Sequence, residues 1–259
     1  RLIKKRIQII TKELDKVIEL LEEGKILAIK GLGGYHLACD AANAESVREL
    51  RRRKERDGKP FALMAKNIDI VKNYCHVDEE ECKLLQGVRR PIVLLESKQG
   101  ANLAADAISS DNNKLGVMLP YTPLHHLLFS EDIELLVMTS GNKSGEPIFY
   151  KDDEALCGLK GIADYYLCNN RDIYIRTDDS VTSVFRNKEY IIRRSRGYVP
   201  FPIDIHAAIK LPHREGTGGK LPSILACGGE LKNTFCLSKG DKAFLSHHIG
   251  DLENMETLK

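Results

Sequence analysis

The sequence has no apolar run as long as a membrane span, and no signal peptide stands at its start. It has no Cys-x-x-Cys pair either: its seven cysteines are scattered, and most lie in apolar patterns such as the one over 165–168. Disulfide and zinc frameworks are therefore excluded. We expect buried, reduced thiols in a cytoplasmic protein that does not associate with membranes.

A strong charge of one sign is also missing, because 39 Lys and Arg residues face 37 Asp and Glu residues. Aromatic residues make up only 6% of the sequence and do not interleave with the cations. Nucleic-acid-binding surfaces usually combine both features, so we do not expect a nucleic-acid partner. A double-stranded RNA-binding module stays the rival of an enzyme at this point.

The positive charge that is present concentrates in residues 51–59, the first cation group, which contains six Arg or Lys side chains. A predicted helix precedes this segment, and a short apolar strand follows it. Holding cations together in an ordered turn costs self-repulsion and indicates an anionic partner. We predict a phosphate site at Lys54, Arg56 and Lys59. The arginines at 51–53 are explained equally well by a solvated helix end.

Apolar periodicity predicts an α/β fold with a layered, partly parallel sheet. Helices are predicted from Thr11 to Gly24, over 44–50, after the capping residues Asn67 and Asp78, and over 152–162. Strands are predicted at 26–29, 61–66, 91–95, 115–119 and 135–138, with a hairpin over 181–194.

Two loops that follow predicted strands allow close approach to a ligand. Residues 139–147 combine small hydroxyl and amide side chains with backbone N–H groups, which suits phosphate or ribose. Their spacing is not that of a Walker loop, and an ordinary polar turn stays the alternative. Residues 30–36 are rich in glycine, but the dinucleotide-binding fingerprint fails at His36.

A second concentration of charge follows. Residues 170–180 contain Arg176 and Asp178, and Arg193, Arg194 and Arg196 form what we call the second cation group, beside a glycine. These three arginines make a second candidate anion site. The competing explanation is that they keep an edge strand soluble.

The composition also suggests a division into domains. Residues 209–223 are rich in Gly and Pro and are predicted as a linker between a first domain, 1–208, and the start of a second, 224–259. Three short strands are predicted in the second segment, which is too short to bury a core of its own. Because the first residue is also not Met, we expect a fragment of a longer protein.

Several short motifs resemble those of YrdC-type domains, which form carbamoyl adenylates. They are the string 35–40, the pair Lys54-x-Arg56 and the pair Ser140-x-Asn142. Longer strings resemble the HypF family of nickel–iron hydrogenase maturation carbamoyltransferases, and they lie at 59–64, 118–128, 139–148, 193–200 and 227–235. The resemblance runs from about Leu14 to the end of the sequence.

This resemblance implies a YrdC-like twisted mixed sheet with flanking helices, followed by the first strands of an actin-like, Kae-type transfer domain. It implies that ATP, accompanied by Mg²⁺, activates carbamate derived from carbamoyl phosphate as carbamoyl-AMP. The carbamoyl group would then pass to the C-terminal cysteine of the partner HypE. The family's acylphosphatase domain, zinc fingers and histidine-rich metal motif do not lie in this sequence, so no metal ligand is assigned.

Carried over motif by motif, the resemblance implies three groups of site residues. The catalytic group, which takes the triphosphate and the incoming carbamate, is Lys54, Arg56 and Lys59. Tyr35 would wall the carbamate pocket, within an ATP- and carbamate-binding group that comprises Lys30, Tyr35, Ser140, Asn142, Ser144, Arg176, Asp178, Arg194 and Arg196. A nucleotide loop of the second domain comprises Gly228, Gly229, Lys232 and Asn233.

One departure from the wider family bears on the substrate. Threonylcarbamoyl-AMP synthases resemble this chain but carry Pro-Thr-x-Thr ahead of the tyrosine, and those hydroxyls serve threonine. Here the matching residues are Lys30-Gly31-Leu32-Gly33. The missing hydroxyls favour carbamate with no amino acid attached. A threonylcarbamoyl-AMP synthase of tRNA modification stays the alternative.

Overall fold

The computed structural model describes residues 7–8, 11–56, 58–98, 108–109, 113–205 and 222–258. Within these ranges the helices are α1 Thr11–Glu22, α2 Ala44–Arg53, α3 Ile68–Tyr74, α4 Glu79–Gln86, α5 Pro123–His126, α6 Asp152–Gly158 and α7 Met255–Leu258. The strands are β1 Ile7–Gln8, β2 Leu27–Lys30, β3 Tyr35–Asp40, β4 Ala62–Ala65, β5 Ile92–Glu96, β6 Lys114–Met118, β7 Leu135–Ser140, β8 Tyr165–Cys168, β9 Val181–Phe185, β10 Lys188–Arg193, β11 Ile203–Asp204, β12 Leu225–Cys227, β13 Phe235–Lys239 and β14 Lys242–Leu245. Over the same ranges, no helix combines the length and the apolar character needed to cross a membrane.

Helix ends follow the local sequence signals. Asn67 accepts a hydrogen bond of 3.0 Å from a backbone N–H in the first turn of α3 and so caps that helix. Asp78 caps α4 through a capping box with Glu81, and the helix ends at Gly87. After α1, Gly24 has φ +76°, a left-handed conformation that glycine adopts at low cost. The predicted caps and stops of these helices are confirmed.

Ten strands form one mixed sheet in the order β1-β8-β2-β3-β7-β4-β6-β5-β9-β10. The pairs β1–β8, β2–β8, β4–β6 and β5–β9 are parallel, and the other neighbours are antiparallel. β9 and β10 are the predicted hairpin, and its turn residues Arg186 and Asn187 both have positive φ. The predicted α/β class with a partly parallel sheet is confirmed.

Both faces of this sheet are covered. On one face, residues of α2, α3, α4 and α6 pack with Leu63 and Val137, and on the other face α1 packs with Met64 and Met138. Successive residues of a strand therefore enter different layers, as the period of two in a strand requires. The candidate site described below is lined by residues of seven strands of this sheet, β3, β4, β5, β6, β7, β9 and β10.

A second, antiparallel sheet has the order β11-β14-β13-β12. β12, β13 and β14 correspond to the three strands predicted in the second segment. β11 pairs with β14, so residues 203–204 join the second sheet although we predicted them in the first domain. Residues 209–221 of the predicted linker lie outside the described residues, and the domain boundaries stay a prediction.

The expectation of buried thiols is correct for some cysteines only. All seven are free, and Cys39, Cys75 and Cys168 are buried, whereas Cys157 and Cys227 are exposed. Cys157 lies on the outer side of α6, and Cys227 lies on β12, an edge strand that is exposed along its length. Apolar neighbours in the sequence therefore did not guarantee burial at these two positions.

Candidate active site

Lys54, at the C-terminal end of α2, connects this helix to the loop after β7. Its Nζ donates to the backbone oxygen of Ser140, to the backbone oxygen of Asn142 at 2.9 Å and to Asn142 Oδ1 at 2.7 Å. Ser140 Oγ donates to the same Oδ1 at 2.8 Å. The structure thus joins the Lys-x-Arg and Ser-x-Asn motifs, although the chain separates Lys54 and Ser140 by 86 positions.

The environment of Lys54 suits a residue that positions the loop. Its side chain is almost completely buried. Burial and then the nearby charge of Arg56 lower the pKa of Lys54, while the carboxylate of Asp178 opposes this shift. Three acceptors match the three protons of an ammonium group. A direct contact between Lys54 and phosphate would need the exchange of one of these partners, so that contact stays a prediction.

The arginines at 51–53 bind groups of the chain itself. Arg51 donates to two backbone oxygens of the following turn, at 2.7 and 3.1 Å, and stacks on Phe61 with 4.5 Å to the ring centroid. Arg53 forms an ion pair of 2.7 Å with Asp164. Arg52 is exposed and pairs with a glutamate of its own helix. These contacts favour the structural explanation of the three arginines.

A cleft of about 230 Å³ opens beside the Lys54 network. The first cation group contributes Arg56 to its lining and the second contributes Arg193, and Lys114 is a third cation there. Ser140 and Asp178 also line it. Of the predicted residues, the structure therefore brings Arg56, Ser140 and Asp178 together, with Lys54 and Asn142 bonded to this group.

Arg56 is held at the cleft by its own turn. Its guanidinium donates to the backbone oxygen of Pro60 at 3.0 Å and lies 5.5 Å from the centroid of the Phe61 ring. Burial, followed by the charges of Arg51 and Arg193, lowers the pKa of Arg56 to about 10. An anion bound between Arg56 and Arg193 would relieve this repulsion, so the electrostatics favour a phosphate here.

A buried ion pair supports the other side of the cleft. His36 Nε2 lies 2.9 Å from Asp179 Oδ2, and Arg196 Nε donates to Asp179 Oδ1 at 2.7 Å. The Arg196 guanidinium lies 3.5 Å from the centroid of the Tyr121 ring. Burial alone would raise the pKa of Asp179, but Arg196 and then His36 lower it well below its usual range. Asp179 therefore acts as an ionised acceptor.

His125 packs against this group without taking part in its hydrogen bonds. Its ring centroid lies 4.3 Å from that of Tyr121 and 6.3 Å from that of His36. Neither ring nitrogen has a hydrogen-bond partner within the part of the chain that the structure describes. Burial and then the neighbouring His36 lower the pKa of His125 to about 3, so the ring is neutral near pH 7. His125 is not among the residues that line the cleft.

Two members of the second cation group are engaged elsewhere. Arg196 also donates to the backbone oxygen of Arg90 at 2.7 Å. Arg194 donates to the backbone oxygen of Leu245 at 3.0 Å and so connects the hairpin to the second sheet. Neither arginine lines the cleft. Within the second cation group, Arg193 therefore lines the cleft, and a role of Arg194 and Arg196 in binding ATP or carbamate stays a prediction.

Tyr35 and Lys30 meet at a different point. Tyr35 OH donates to Asp152 Oδ1 at 2.7 Å and lies 3.2 Å from Cys168 Sγ, and Lys30 Nζ lies 2.7 Å from the same Asp152 oxygen. Burial, then the bonds to Cys168 and Asp152, raises the pKa of Tyr35 well above its ordinary value. Tyr35 packs in the layer of α2 and α6, whereas the next residue of the strand, His36, lines the cleft. Tyr35 itself does not line the cleft, so its role as a wall of the carbamate pocket stays a prediction.

Other predicted residues lie away from the cleft. Lys59 and Ser144 are exposed and do not line it. Arg176 donates to the backbone oxygen of Thr257 at 3.4 Å, near the end of the chain. The glycine loop closes on the protein itself, because a Cβ at Gly33 would come within 2.1 Å of the backbone oxygen of Thr177.

The predicted nucleotide loop of the second domain is closed by its own bonds. Asn233 Nδ2 donates to the backbone oxygen of Gly229 at 2.6 Å, and the Lys232 N–H donates to Asp251 Oδ1 at 2.7 Å. Gly228 cannot carry a side chain, since a Cβ there would lie 2.3 Å from the backbone oxygen of Thr234. A nucleotide-binding role of this loop stays a prediction.

Sequence reasoning missed His36, Lys114 and Asp179 as residues of the site. His36 lies within the motif at 35–40, but we considered it only as the residue at which the dinucleotide-binding fingerprint fails. Asp179 follows the predicted Asp178, yet nothing in the sequence shows which of two adjacent carboxylates turns towards Arg196. Lys114 begins an apolar strand and carries no motif.

Comparison with known proteins agrees with this architecture. A family model described as telomere recombination, the Sua5/YciO/YrdC family, matches residues 19–195, and a model described as HypF Kae1-like domain matches residues 219–259. Carbamoyltransferase HypF2 of Cupriavidus necator is 44% identical over 261 residues, which cover 94% of this chain and 31% of that protein. The chain thus spans about a third of the length of this curated relative.

Solved structures agree as well. Full-length HypF in the phosphate- and nucleotide-bound form matches with a TM-score of 0.86 and 52% identity, over 96% of this chain and 32% of that one. P. abyssi Sua5 complexed with L-threonine has a TM-score of 0.64 at 16% identity, over 74% of this chain and 56% of that one, which shows a common fold alone. The chain belongs to the Sua5/YciO/YrdC family and corresponds to the part of HypF proteins in which that family's domain is followed by a Kae1-like domain.

Proposed function

We propose that the cleft activates carbamate with ATP. A carbamate oxygen attacks the α-phosphorus, the bond from that phosphorus to the pyrophosphate oxygen breaks, and carbamoyl-AMP and pyrophosphate form. The observation that supports this proposal most is that Arg56 and Arg193 line the same cleft. The hydrogen-bond network of Lys54, Ser140 and Asn142 lies beside them. The relative whose solved form is phosphate- and nucleotide-bound has the same fold over nearly the whole chain.

Each group has a defined task in this proposal. Arg56 and Arg193 neutralise the phosphates, where the charge of the pentavalent transition state develops. Lys54 holds the loop of Ser140 and Asn142 in place, so that its hydroxyl and backbone groups meet the nucleotide without reorganisation. No protein nucleophile is needed, because the carbamate oxygen itself attacks.

Mg²⁺ would accompany ATP. Among the described residues, no group of three or more His, Cys, Asp or Glu side chains is placed to hold a metal ion. The protein therefore offers no cage of its own, and Mg²⁺, which readily keeps its waters, would be carried by the phosphates and neutralise their charge.

In the longer protein, we propose that the carbamoyl group goes on to the C-terminal cysteine of HypE, in the cytoplasm, during hydrogenase maturation. Carbamate would come from carbamoyl phosphate. The support is the name carbamoyltransferase of the relative that matches nearly all of this chain, together with the Kae1-like match over 219–259.

The test is the release of AMP and pyrophosphate by the 259-residue chain given ATP, Mg²⁺ and ammonium bicarbonate, which supplies carbamate. We expect equal amounts of both products, dependent on ammonium bicarbonate and not increased by threonine. AMP formation that requires threonine would assign the chain to threonylcarbamoyl-AMP synthesis. No AMP under either condition would refute nucleotide activation by this cleft.

A further inference from the structure

The loop after β7 is anchored at its start and has an exposed tip. Lys54 binds the start of the loop through Ser140 and Asn142. The tip, residues 143–145, is exposed. A Cβ at Gly145 would meet no atom of the described residues within 4 Å, so this part of the loop is not packed against the protein. Hydrogen bonds, more than packing, therefore fix the position of the tip.

One of these hydrogen bonds comes from the second segment. Asn254 Nδ2 donates to the backbone oxygen of Gly145 at 2.9 Å, across 109 positions of the chain. Inside the loop, Asn142 Nδ2 donates to the backbone oxygen of the next residue, Glu146. The other end of the same amide, Asn142 Oδ1, accepts from Ser140 Oγ at 2.8 Å. Hydrogen bonds and one peptide link thus connect Asn254 to Ser140, which lines the cleft.

Asn254 belongs to a turn, residues 249–254, that we call the bridging turn. Four hydrogen bonds of 2.7–2.9 Å join its residues 249–252 to residues 230–233, which include part of the predicted nucleotide loop of the second domain. Just before the turn, the His248 N–H donates to the backbone oxygen of Arg194 at 3.0 Å. The bridging turn is therefore held by contacts that do not involve the loop after β7, and it presents the Asn254 amide from a fixed position.

We propose that Asn254 is a positioning residue of the ATP site. It fixes the tip of the loop after β7, so that the second segment supplies part of the frame that holds Ser140 and Asn142 for the nucleotide. A loop that is ordered before ATP arrives loses less freedom on binding, and ATP binds more tightly. By reciprocity, ATP bound at this loop stabilises the bridging turn. This inference rests on the proposed use of ATP in the cleft and adds a contribution of the second segment to it.

The test removes the donor of Asn254 in two ways. Asn254 directly precedes α7, a position where Asp caps a helix as well as Asn does, so Asn254→Asp removes the amide donor without weakening the start of the helix. Asn254→Ala removes the donor without adding a charge. In the AMP-release assay we expect KM for ATP to rise about threefold to tenfold in both variants, the effect of one hydrogen bond. kcat should stay within about twofold, because Lys54 still holds the loop once ATP is bound.

Hydrogen exchange separates positioning of the loop from damage to the second sheet. Without nucleotide, the amides of residues 140–147 should exchange about threefold faster or more in both variants, whereas those of β13 and β14 should exchange as in the unmodified chain. In the unmodified chain, ATP should slow exchange in the bridging turn. The control is Ser238→Ala, which removes the acceptor of a 2.9 Å hydrogen bond from the Ile224 N–H within the second segment. It should change neither KM for ATP nor exchange at 140–147.

The outcomes separate this inference from the proposed function. An unmodified chain that does not use ATP would refute the proposed function and the role of Asn254 with it. Unchanged KM and unchanged loop exchange in both Asn254 variants would overturn the role of Asn254 and leave the proposed function standing. A higher KM in Asn254→Asp alone would also overturn this role, since the added charge and not the lost bond would be the cause. An equal rise in Ser238→Ala would do so too, because general loosening of the second sheet would then explain the effect.

Discussion

The two cation groups look alike in the sequence, but the structure uses them differently. Cations of the first group bind acceptors that are near them in the sequence: Arg51 donates to the backbone oxygen of Arg56, in the turn that carries this residue. The second group binds over long distances: Arg196 pairs with Asp179, and Arg194 reaches the second sheet. Each group nevertheless contributes one guanidinium to the cleft. What decides the role of a cation is therefore the acceptor that the fold places within its reach, and not the density of charge around it.

The largest effect should come from breaking the long-range contacts. Arg196→Met would leave the buried Asp179 carboxylate without its guanidinium partner, and we expect a loss of about 3–5 kcal/mol in the free energy of unfolding. Urea denaturation at pH 7 measures this loss. A loss below about 1 kcal/mol would show that the ion pair contributes little to the fold.

The same variant carries a pH dependence. Because the folded-state pKa of Asp179 is depressed, its ion pair stabilises the protein above the ordinary aspartate pKa of about 3.9, and this stabilisation is lost as pH falls below that value. The difference in stability between the unmodified chain and Arg196→Met should therefore shrink from pH 5 towards acid. A difference that stays constant would contradict the assignment.

The next effect concerns the anchor of the first group. Lys54→Met keeps most of the side-chain volume but removes all three hydrogen bonds, and we expect a loss of about 2–3 kcal/mol in the free energy of unfolding. ATP affinity should fall as well, because the loop at 140–142 loses its support. Lys59→Met, an exposed cation of the same group, is the control and should change stability by less than about 0.5 kcal/mol. Equal effects of the two substitutions would refute the anchoring role.

Much of the fold could be predicted, because local signals carried it. The caps at Asn67 and Asp78 and the hairpin turn act through neighbouring backbone groups, so the sequence nearby contains the information. Strand β3 was not predicted, because residues 35–40 were interpreted as a motif. Polar and apolar residues do not alternate clearly in this buried strand, so the usual strand pattern is missing. β11 has only two residues, and its membership of the second sheet depends on a partner far along the chain.

The site could be predicted only in part for the same reason. The pairing of Lys54 with Ser140 and Asn142 agrees with the motifs. By contrast, Tyr35 and His36 are adjacent, and the pleat sends them to opposite faces of the sheet. A one-residue difference of this kind depends on strand register, which the sequence of one strand does not define.

A smaller effect, on ATP affinity, is expected when two members of the first group are compared. Arg56→Gln removes a guanidinium from the cleft and should weaken ATP binding about tenfold to a hundredfold, the value of one or two charge-assisted hydrogen bonds. Arg52→Gln removes the same charge from the exposed face of α2 and should change the affinity by less than about twofold. Calorimetric titration with ATP decides between them. If both variants bound ATP as tightly as the unmodified chain, the nucleotide site would have to lie elsewhere.

The smallest effect on ATP affinity is expected when Arg193 and Arg194, two neighbours in the second group, are compared. Arg193→Gln should weaken ATP binding by about tenfold, because this side chain already donates to the Asp179 backbone and offers the cleft only part of its donors. Arg194→Gln should leave ATP affinity unchanged and lower the stability by about 1–2 kcal/mol, through its lost bond to the second sheet. The opposite result would exchange the roles that we assign to these two residues.

Transfer of an oxygen atom tests the central claim most directly. If carbamate attacks the α-phosphorus, one carbamate oxygen stays on AMP after the carbamoyl group is lost by cleavage at its carbon. The 259-residue chain is given ATP and carbamate made from ¹⁸O-labelled bicarbonate, and the AMP is analysed by mass spectrometry after a short reaction. We expect AMP that carries one ¹⁸O atom. Unlabelled AMP formed at the same rate would show attack by water, and it would contradict the activation of carbamate in this cleft.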